Sequence, residues 1–152
     1  MKRILISWIG DADLKCCADQ KNSKTVIGPL MATCQALSFS KGYFLYNRSK
    51  KGKTSDLGAL IDPYLHWLDE NLTFSYSSQY IKLSSPIEFA EIYPAVDEVL
   101  NRVVSENPGA QLSILLSPGT PAMQAVSILL GKTKYAIDFI QSSLQKGVQE
   151  IT

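Results

Sequence analysis

The sequence predicts an α/β protein: a doubly wound, mainly parallel sheet of five to six strands with helices on both faces. Three observations lead there. Short apolar runs and segments of helical period alternate about five times along the 152 residues, the pattern of strands joined by helical crossovers. The first and fourth apolar runs, RILISWI and LSILL, are nearly unbroken, as strands are when helices cover both of their faces. Finally, 45% of the chain is hydrophobic and 19% is charged, which suffices for one continuous core and gives no sign of disorder.

The elements follow in order. Residues 3–9 read as a buried strand. Residues 10–27, GDADLKCCADQKNSKTVI, are polar and turn-rich. Connections between strand and helix usually take about 2–6 residues, so this one is expected to be a lid or an irregular insert with a single helical turn. A helical segment lies around residues 29–37, and GYFLY, residues 42–46, is the second strand. From residue 56 to 72, Leu57, Leu60, Ile61, Tyr64, Leu65, Leu68 and Leu72 keep the i, i+3, i+4 spacing of an amphipathic helix. His66 then falls on the polar face with Asp62 and Glu70, as a surface residue.

QYIKL, residues 79–83, is the third strand. Ser85-Pro86-Ile87-Glu88 has the form of a capping box with proline at the first helical position. A helix is expected to start there and to run to about residue 105 through Phe89, Ile92, Val96, Leu100 and Val103, kinked or divided by Pro94. Asn107-Pro108-Gly109 ends it. Residues 112–116 form the fourth strand, 120–131 a helix apolar nearly all round and 136–141 the fifth strand, and VQEI, residues 148–151, would add a sixth.

In such a fold the right-handed crossovers bring every strand-to-helix loop to one edge, and ligands bind there where the strand order reverses. The first and fourth loops normally flank that crevice. The predicted edge gathers Ile9, Gly10 and Asp11 from the first loop; Asn47, Arg48 and Lys51 from the second; Ser84 and Ser85 from the third; and Ser117, Pro118, Gly119 and Thr120 from the fourth, with Ser142 and Ser143 beyond. The fourth loop belongs to LLSPGTPAM, residues 115–123. There Gly119 permits close backbone approach, Thr120 suits a helix cap and Pro121 fits the first helical position. The N–H groups at the tip of such an elbow are expected to hold an anion. Arg48, Lys50, Lys51 and Lys53 form the densest basic cluster, placed to attract a phosphate-bearing ligand.

Charge and motifs narrow the function. Fifteen Lys and Arg against fourteen Asp and Glu leave a net charge of +1, so no global field attracts nucleic acid or an anionic membrane and any anion site must be local. Gly52-Lys53-Thr54 and Gly131-Lys132-Thr133 are not P-loops, because the glycine required five positions earlier is Asn47 in one case and Val126 in the other. No G-x-G-x-x-G follows the first strand. One histidine cannot complete a Ser-His-Asp or Cys-His set, and the acidic residues form no metal-like cluster. No catalytic residue, metal or cofactor is expected, and a binding module is the better reading. Cys16, Cys17 and Cys34 are an odd number without partners for a zinc set, which suits a reduced, cytoplasmic setting. Neither a signal peptide nor an apolar run of about 18 residues is present, so no membrane contact is expected.

These segments carry a family resemblance. WIGDAD at the end of the first strand, LSSPIEFAEIY, SPGTPAM followed by GKTKY, and QSSLQKGV together resemble the CARF domain, the CRISPR-associated Rossmann fold. Within it the chain is most similar to the N-terminal sensor domain of sigma-54-dependent regulators of the RtcR type. The resemblance runs over most of the chain. Its most specific part is SPGTPAM, similar to the Gly-Thr-x-x-Met element that lines the CARF ligand crevice.

The resemblance implies a Rossmann-like fold and a homodimer whose two crevices join into a site for a cyclic oligoadenylate or another RNA-derived ligand. Gly119 and Thr120 are the implied contacts, Met123 supports the loop, and Ile9, Gly10 and Asp11 come next. Two features depart from the family: Pro94 falls in a helix it keeps continuous, and 152 residues hold neither an ATPase nor a helix-turn-helix. The expectation is therefore one sensor domain of a longer regulator, without direct DNA contact. The runner-up is a metal-independent ring nuclease that cleaves such a ligand by holding a ribose 2′-OH in line with the phosphate. A small-nucleotide or sugar-phosphate enzyme is weakened by the missing motifs.

Overall fold

Parallel pairing on both sides of the first strand organises the molecule. The computed structural model describes residues 2–18, 27–48 and 57–151. Among these, β1 (Arg3–Trp8), β2 (Lys41–Tyr46), β3 (Ser75–Tyr80), β4 (Gln111–Leu115), β5 (Ile137–Ser143) and β6 (Gly147–Ile151) form one sheet in the order β3-β2-β1-β4-β5-β6. β1 pairs parallel with β2 through Ile4↔Lys41 and with β4 through Ile4↔Leu112, and β6 alone runs antiparallel, against β5. The chain builds outward from β1 through β2 and β3, then crosses back to place β4 on the other side of β1. The order therefore reverses between β1 and β4.

The unbroken apolar run of β1 divides between two cores. Ile4, Ile6 and Trp8 face α4 (Phe89–Glu106) and α5 (Pro121–Thr133), packing with Val96, Leu100, Met123, Val126 and Leu130. Leu5 and Ile9 face α1 (Asp11–Ala18), α2 (Pro29–Ala36) and α3 (Ile61–Asn71), packing with Leu14, Leu30, Tyr64 and Leu68. Alternate side chains of a strand point to opposite faces, so a strand covered twice must be apolar throughout. The doubly wound, Rossmann-like α/β fold class is what the structure has. None of the described helices is long and apolar enough to cross a membrane.

Several boundaries differ from the sequence expectation. The polar stretch after β1 contains a two-turn helix, α1, where a loop with one turn was expected. The amphipathic helix begins as a short 3-10 turn, Gly58–Leu60, and becomes α-helical at Ile61. β3 lies several residues earlier than QYIKL, at SYSSQY. It is an edge strand with one neighbour, and its serines need no buried face. α4 starts at Phe89, not at Ser85, because residues 85–88 form a turn in which the Glu88 N–H donates to the Ser85 carbonyl at 3.3 Å. Pro94 does not divide α4: the helix runs on to Glu106. Pro94 and Ala90 are both exposed, which places the proline on the solvent side of the helix. α5 buries Met123, Val126 and Leu130 but leaves Ile128 and Leu129 more than 40% exposed. It is two-faced, although its sequence is apolar nearly all round.

Candidate functional site

At the carboxyl edge of the sheet, where the strand order reverses, lies a cleft of about 520 Å³. One wall comes from the end of β1 and the start of α1, through Ile9, Gly10 and Asp11. The facing wall is the β4–α5 elbow, through Ser117, Pro118, Gly119 and Thr120 with Met123 behind it, and Asn47 and Arg48 after β2 also line the space. These expected residues come together. Ser84 and Ser85 do not line the cleft; Ser84 is held by Glu91, whose carboxylate accepts from its N–H and hydroxyl. Ser142 is also set back, its N–H donating to Ser117 Oγ at 2.6 Å. Lys51, with Lys50 and Lys53, lies outside the described residues.

The two main walls touch at the floor. A Cβ built on Gly10 would meet the Pro118 carbonyl oxygen at 2.6 Å, so only glycine lets the β1 and β4 loops approach this closely. Gly10 also starts α1, its carbonyl accepting from the Leu14 N–H at 3.2 Å. Asp13, the third residue of α1, completes the start: its carboxylate accepts from the Gly10 N–H at 2.9 Å and the Leu30 N–H at 3.0 Å. The reach back from the third helical position to the residue before the helix is half of a capping box. The second bond ties α1 to α2. Asp13 is therefore a buried staple with 1% exposure. Burial pushes its carboxyl up to about 6, against the opposing pull of the Leu30 and Gly10 N–H groups. Burial, with the Asp13 charge adding to it, pushes the Cys34 thiol up to about 12 and keeps it protonated.

The elbow is largely self-satisfied. The Gly119 N–H donates to the Leu116 carbonyl at 3.2 Å, the Thr120 N–H to Met123 Sδ at 3.4 Å and the Met123 N–H to Thr120 Oγ1 at 3.3 Å. Of the N–H groups of Gly119, Thr120, Ala122 and Met123, only that of Ala122 has no acceptor among the described residues. The Thr120 hydroxyl is committed twice, since it caps α5 and donates to the Pro86 carbonyl at 2.6 Å. Met123 thus supports the elbow through its sulfur, and Thr120 ties the elbow to the start of α4.

Among the described residues, charge in the cleft is carried by one pair. Arg48 Nε donates to Asp11 Oδ1 at 3.1 Å and Arg48 Nη2 to Asp11 Oδ2 at 2.7 Å. Asp11 holds the guanidinium proton more firmly than usual, chiefly through these hydrogen bonds. His66 does not line the cleft; it is exposed on α3 and paired with Glu70 at 3.1 Å. Sequence reasoning missed Trp8, Ala12, Pro29, Leu83 and Pro86, which complete the lining. They are mostly apolar and carry no chemical motif. Pro29 stands next to Leu30, whose N–H is held by Asp13 at 3.0 Å.

No family model matches the sequence, and no curated protein matches it either. Solved structures do. Enterococcus italicus Csm6 bound to cyclic hexa-2'-fluoro-hexa-dAMP superposes with a TM-score of 0.75 at 15% identity, over 99% of this chain and 36% of that one. The protein VC1899 from Vibrio cholerae gives a TM-score of 0.63 at 11% identity, over 98% of this chain and 33% of that one. The chain thus spans about a third of the length of these proteins. At such identities the likeness is one of architecture: the chain shares with them a doubly wound, Rossmann-like α/β fold.

Proposed function

We propose that this chain is a ligand-sensing domain that binds a cyclic oligoadenylate or a related RNA-derived signal in the cleft between the β1 and β4 loops. The observation that carries the reading is the coincidence of the SPGTPAM elbow, the first loop and an arginine around one cleft at the reversal of strand order. The likeness in fold to a Csm6 solved with a cyclic hexanucleotide supports the ligand class. The domain acts in the cytoplasm as one part of a longer regulator. The RtcR-like pattern of LSSPIEF and SPGTPAM favours a sigma-54-dependent activator as its effector, with no DNA contact from this domain.

A homodimer joins two such clefts. The exposed apolar side chains of α4 and α5, Phe89, Ile128 and Leu129, support these helices as the interface, because they lie beside the elbow on the same layer. Light scattering at tens of micromolar should give twice the 16.8 kDa chain mass, and Ile128→Asp should halve it. A monomer for the parent chain refutes the dimer.

The deciding experiment is calorimetric titration with cyclic tri-, tetra- and hexaadenylate and with RNA ends bearing a 2′,3′-cyclic phosphate, each followed by chromatography of the ligand. Binding without turnover is expected. Product formation would instead establish the ring nuclease, and no binding to any of the four would refute the sensor.

A further inference from the structure

We propose that Asp11 is a positioning residue for anion recognition: it grips the Arg48 guanidinium by one edge so that the opposite edge faces a phosphodiester in the cleft. The inference rests on the ligand-binding reading above and deepens it, naming the side chain that meets the charge and the one that sets its geometry.

The cleft needs such a group because the elbow supplies little. Three of its N–H groups are already engaged within the elbow itself. Arg48 is the one cation among the described residues that line the cleft. A guanidinium is a planar fork with five N–H donors. Asp11 takes the edge formed by Nε and Nη2, at 3.1 and 2.7 Å. The other edge, Nη1 with the second N–H of Nη2, meets no acceptor among the described residues, and it has the two-point geometry that matches two phosphate oxygens. Asp11 is itself well anchored. It is the first residue of α1, where the helix dipole favours a carboxylate, directly after Gly10, whose N–H is held by Asp13.

Two opposing effects follow from placing a carboxylate there. Its negative charge repels an incoming anion, but the side chains of Arg48 and Asp11 are 37% and 48% exposed, so solvent and salt screen that repulsion. Fixing a rotamer-rich side chain in advance removes an ordering cost that binding otherwise bears, roughly 2- to 10-fold in affinity for one arginine. Bare electrostatics says that removing the Asp11 charge tightens anion binding; positioning says that it weakens it.

A double-mutant cycle separates the two. Cyclic tetra- and hexaadenylate would be titrated at about 0.15 M salt, where the Debye length is about 8 Å, into the parent chain, Asp11→Asn, Arg48→Ala and the double variant, with melting temperatures recorded for each. Asp11→Asn should weaken binding roughly 2- to 10-fold when Arg48 is present and leave it unchanged or tighter when Arg48 is alanine. Arg48→Lys, which keeps the charge without the fork, should lose most of what Arg48→Ala loses; it replaces alanine in the cycle where alanine binds too weakly to measure. Tighter binding by Asp11→Asn with Arg48 in place, equal effects in both backgrounds, or full affinity for Arg48→Lys would overturn the proposal and leave the cleft reading standing. A parent chain that binds neither probe would refute both.

Discussion

The Asp13 staple makes stability depend on pH in a direction opposite to that of most carboxylates. Its folded-state pKa is raised from 3.8 to about 6 by burial. Between those values the folded chain holds a proton that the unfolded chain has released, so stability falls as pH rises. The contribution is fully present below the unfolded pKa and is lost as pH climbs through the folded one. A shift of about 2 units corresponds to about 3 kcal/mol in total, of which about 2.5 kcal/mol falls between pH 4 and pH 7. Asp13→Asn removes the titration. Its amide oxygen satisfies one of the two N–H groups that Asp13 accepts from, Gly10 and Leu30, and leaves the other facing an NH2, at about 1–3 kcal/mol. The two variants should therefore be close in stability at neutral pH, with the parent ahead at pH 4. Urea denaturation at half-unit steps from pH 4 to 7 gives the difference curve, in which the other titrating groups cancel. A flat difference, or a parent that gains on the variant as pH rises, would show that Asp13 is not a buried acid with a raised pKa.

Three further outcomes are expected. Gly10→Ala should cost about 1–3 kcal/mol, because its Cβ would meet the Pro118 carbonyl at 2.6 Å; an unchanged urea midpoint would mean that the β1 and β4 loops do not touch. Thr120→Ala should cost roughly 0.5–2 kcal/mol through the lost cap of α5, and the loss of its bond to the Pro86 carbonyl puts the result at the upper end, read by thermal melting. Gly119→Ala meets only Met123 Cβ at 3.1 Å and ordinary contacts beyond, so the chain should melt within a few degrees of the parent while cyclic oligoadenylate affinity falls about tenfold, roughly 1.4 kcal/mol; undiminished affinity would make this glycine a corner and not a contact.

The fold was legible because its signals are local. Unbroken apolar strands and Gly-Pro turns place β1, β4 and the elbow without reference to the rest of the chain, and the reversal of strand order puts their loops side by side. What was misread depends on distant partners. β3 is polar because it sits at the edge, and only its pairing through Lys41↔Ser75 and onward to Tyr46↔Tyr80 identifies SYSSQY as the strand. α1 starts within a polar stretch because Asp13 finds Gly10 and, seventeen residues on, Leu30. The Ser85 cap failed for a similar reason: the turn that carries Pro86 toward Thr120 occupies the residues that would have been the first turn of α4. In the cleft, the meeting of the first, second and fourth loops was foreseen; the serines of the third loop do not line it, and Trp8, Ala12, Pro29, Leu83 and Pro86 were not foreseen. A tryptophan or proline becomes part of a site only by position.

The bond from the Ser142 N–H to Ser117 Oγ, at 2.6 Å, gives the elbow a mechanical partner outside the cleft. Ser142 belongs to the β5–β6 hairpin, which ends in the sharp turn at Gly147 and carries Leu144 almost fully in solvent. An N–H···O bond holds to about 3.2 Å, so the elbow has roughly half an ångström of travel before it parts from the hairpin. An occupant that levers the elbow outward must either break the bond or draw the hairpin along. The outer margin of the sheet is thus tied to its centre through this bond, and a fluorophore attached at the turn is expected to report any displacement of the elbow that the bond transmits.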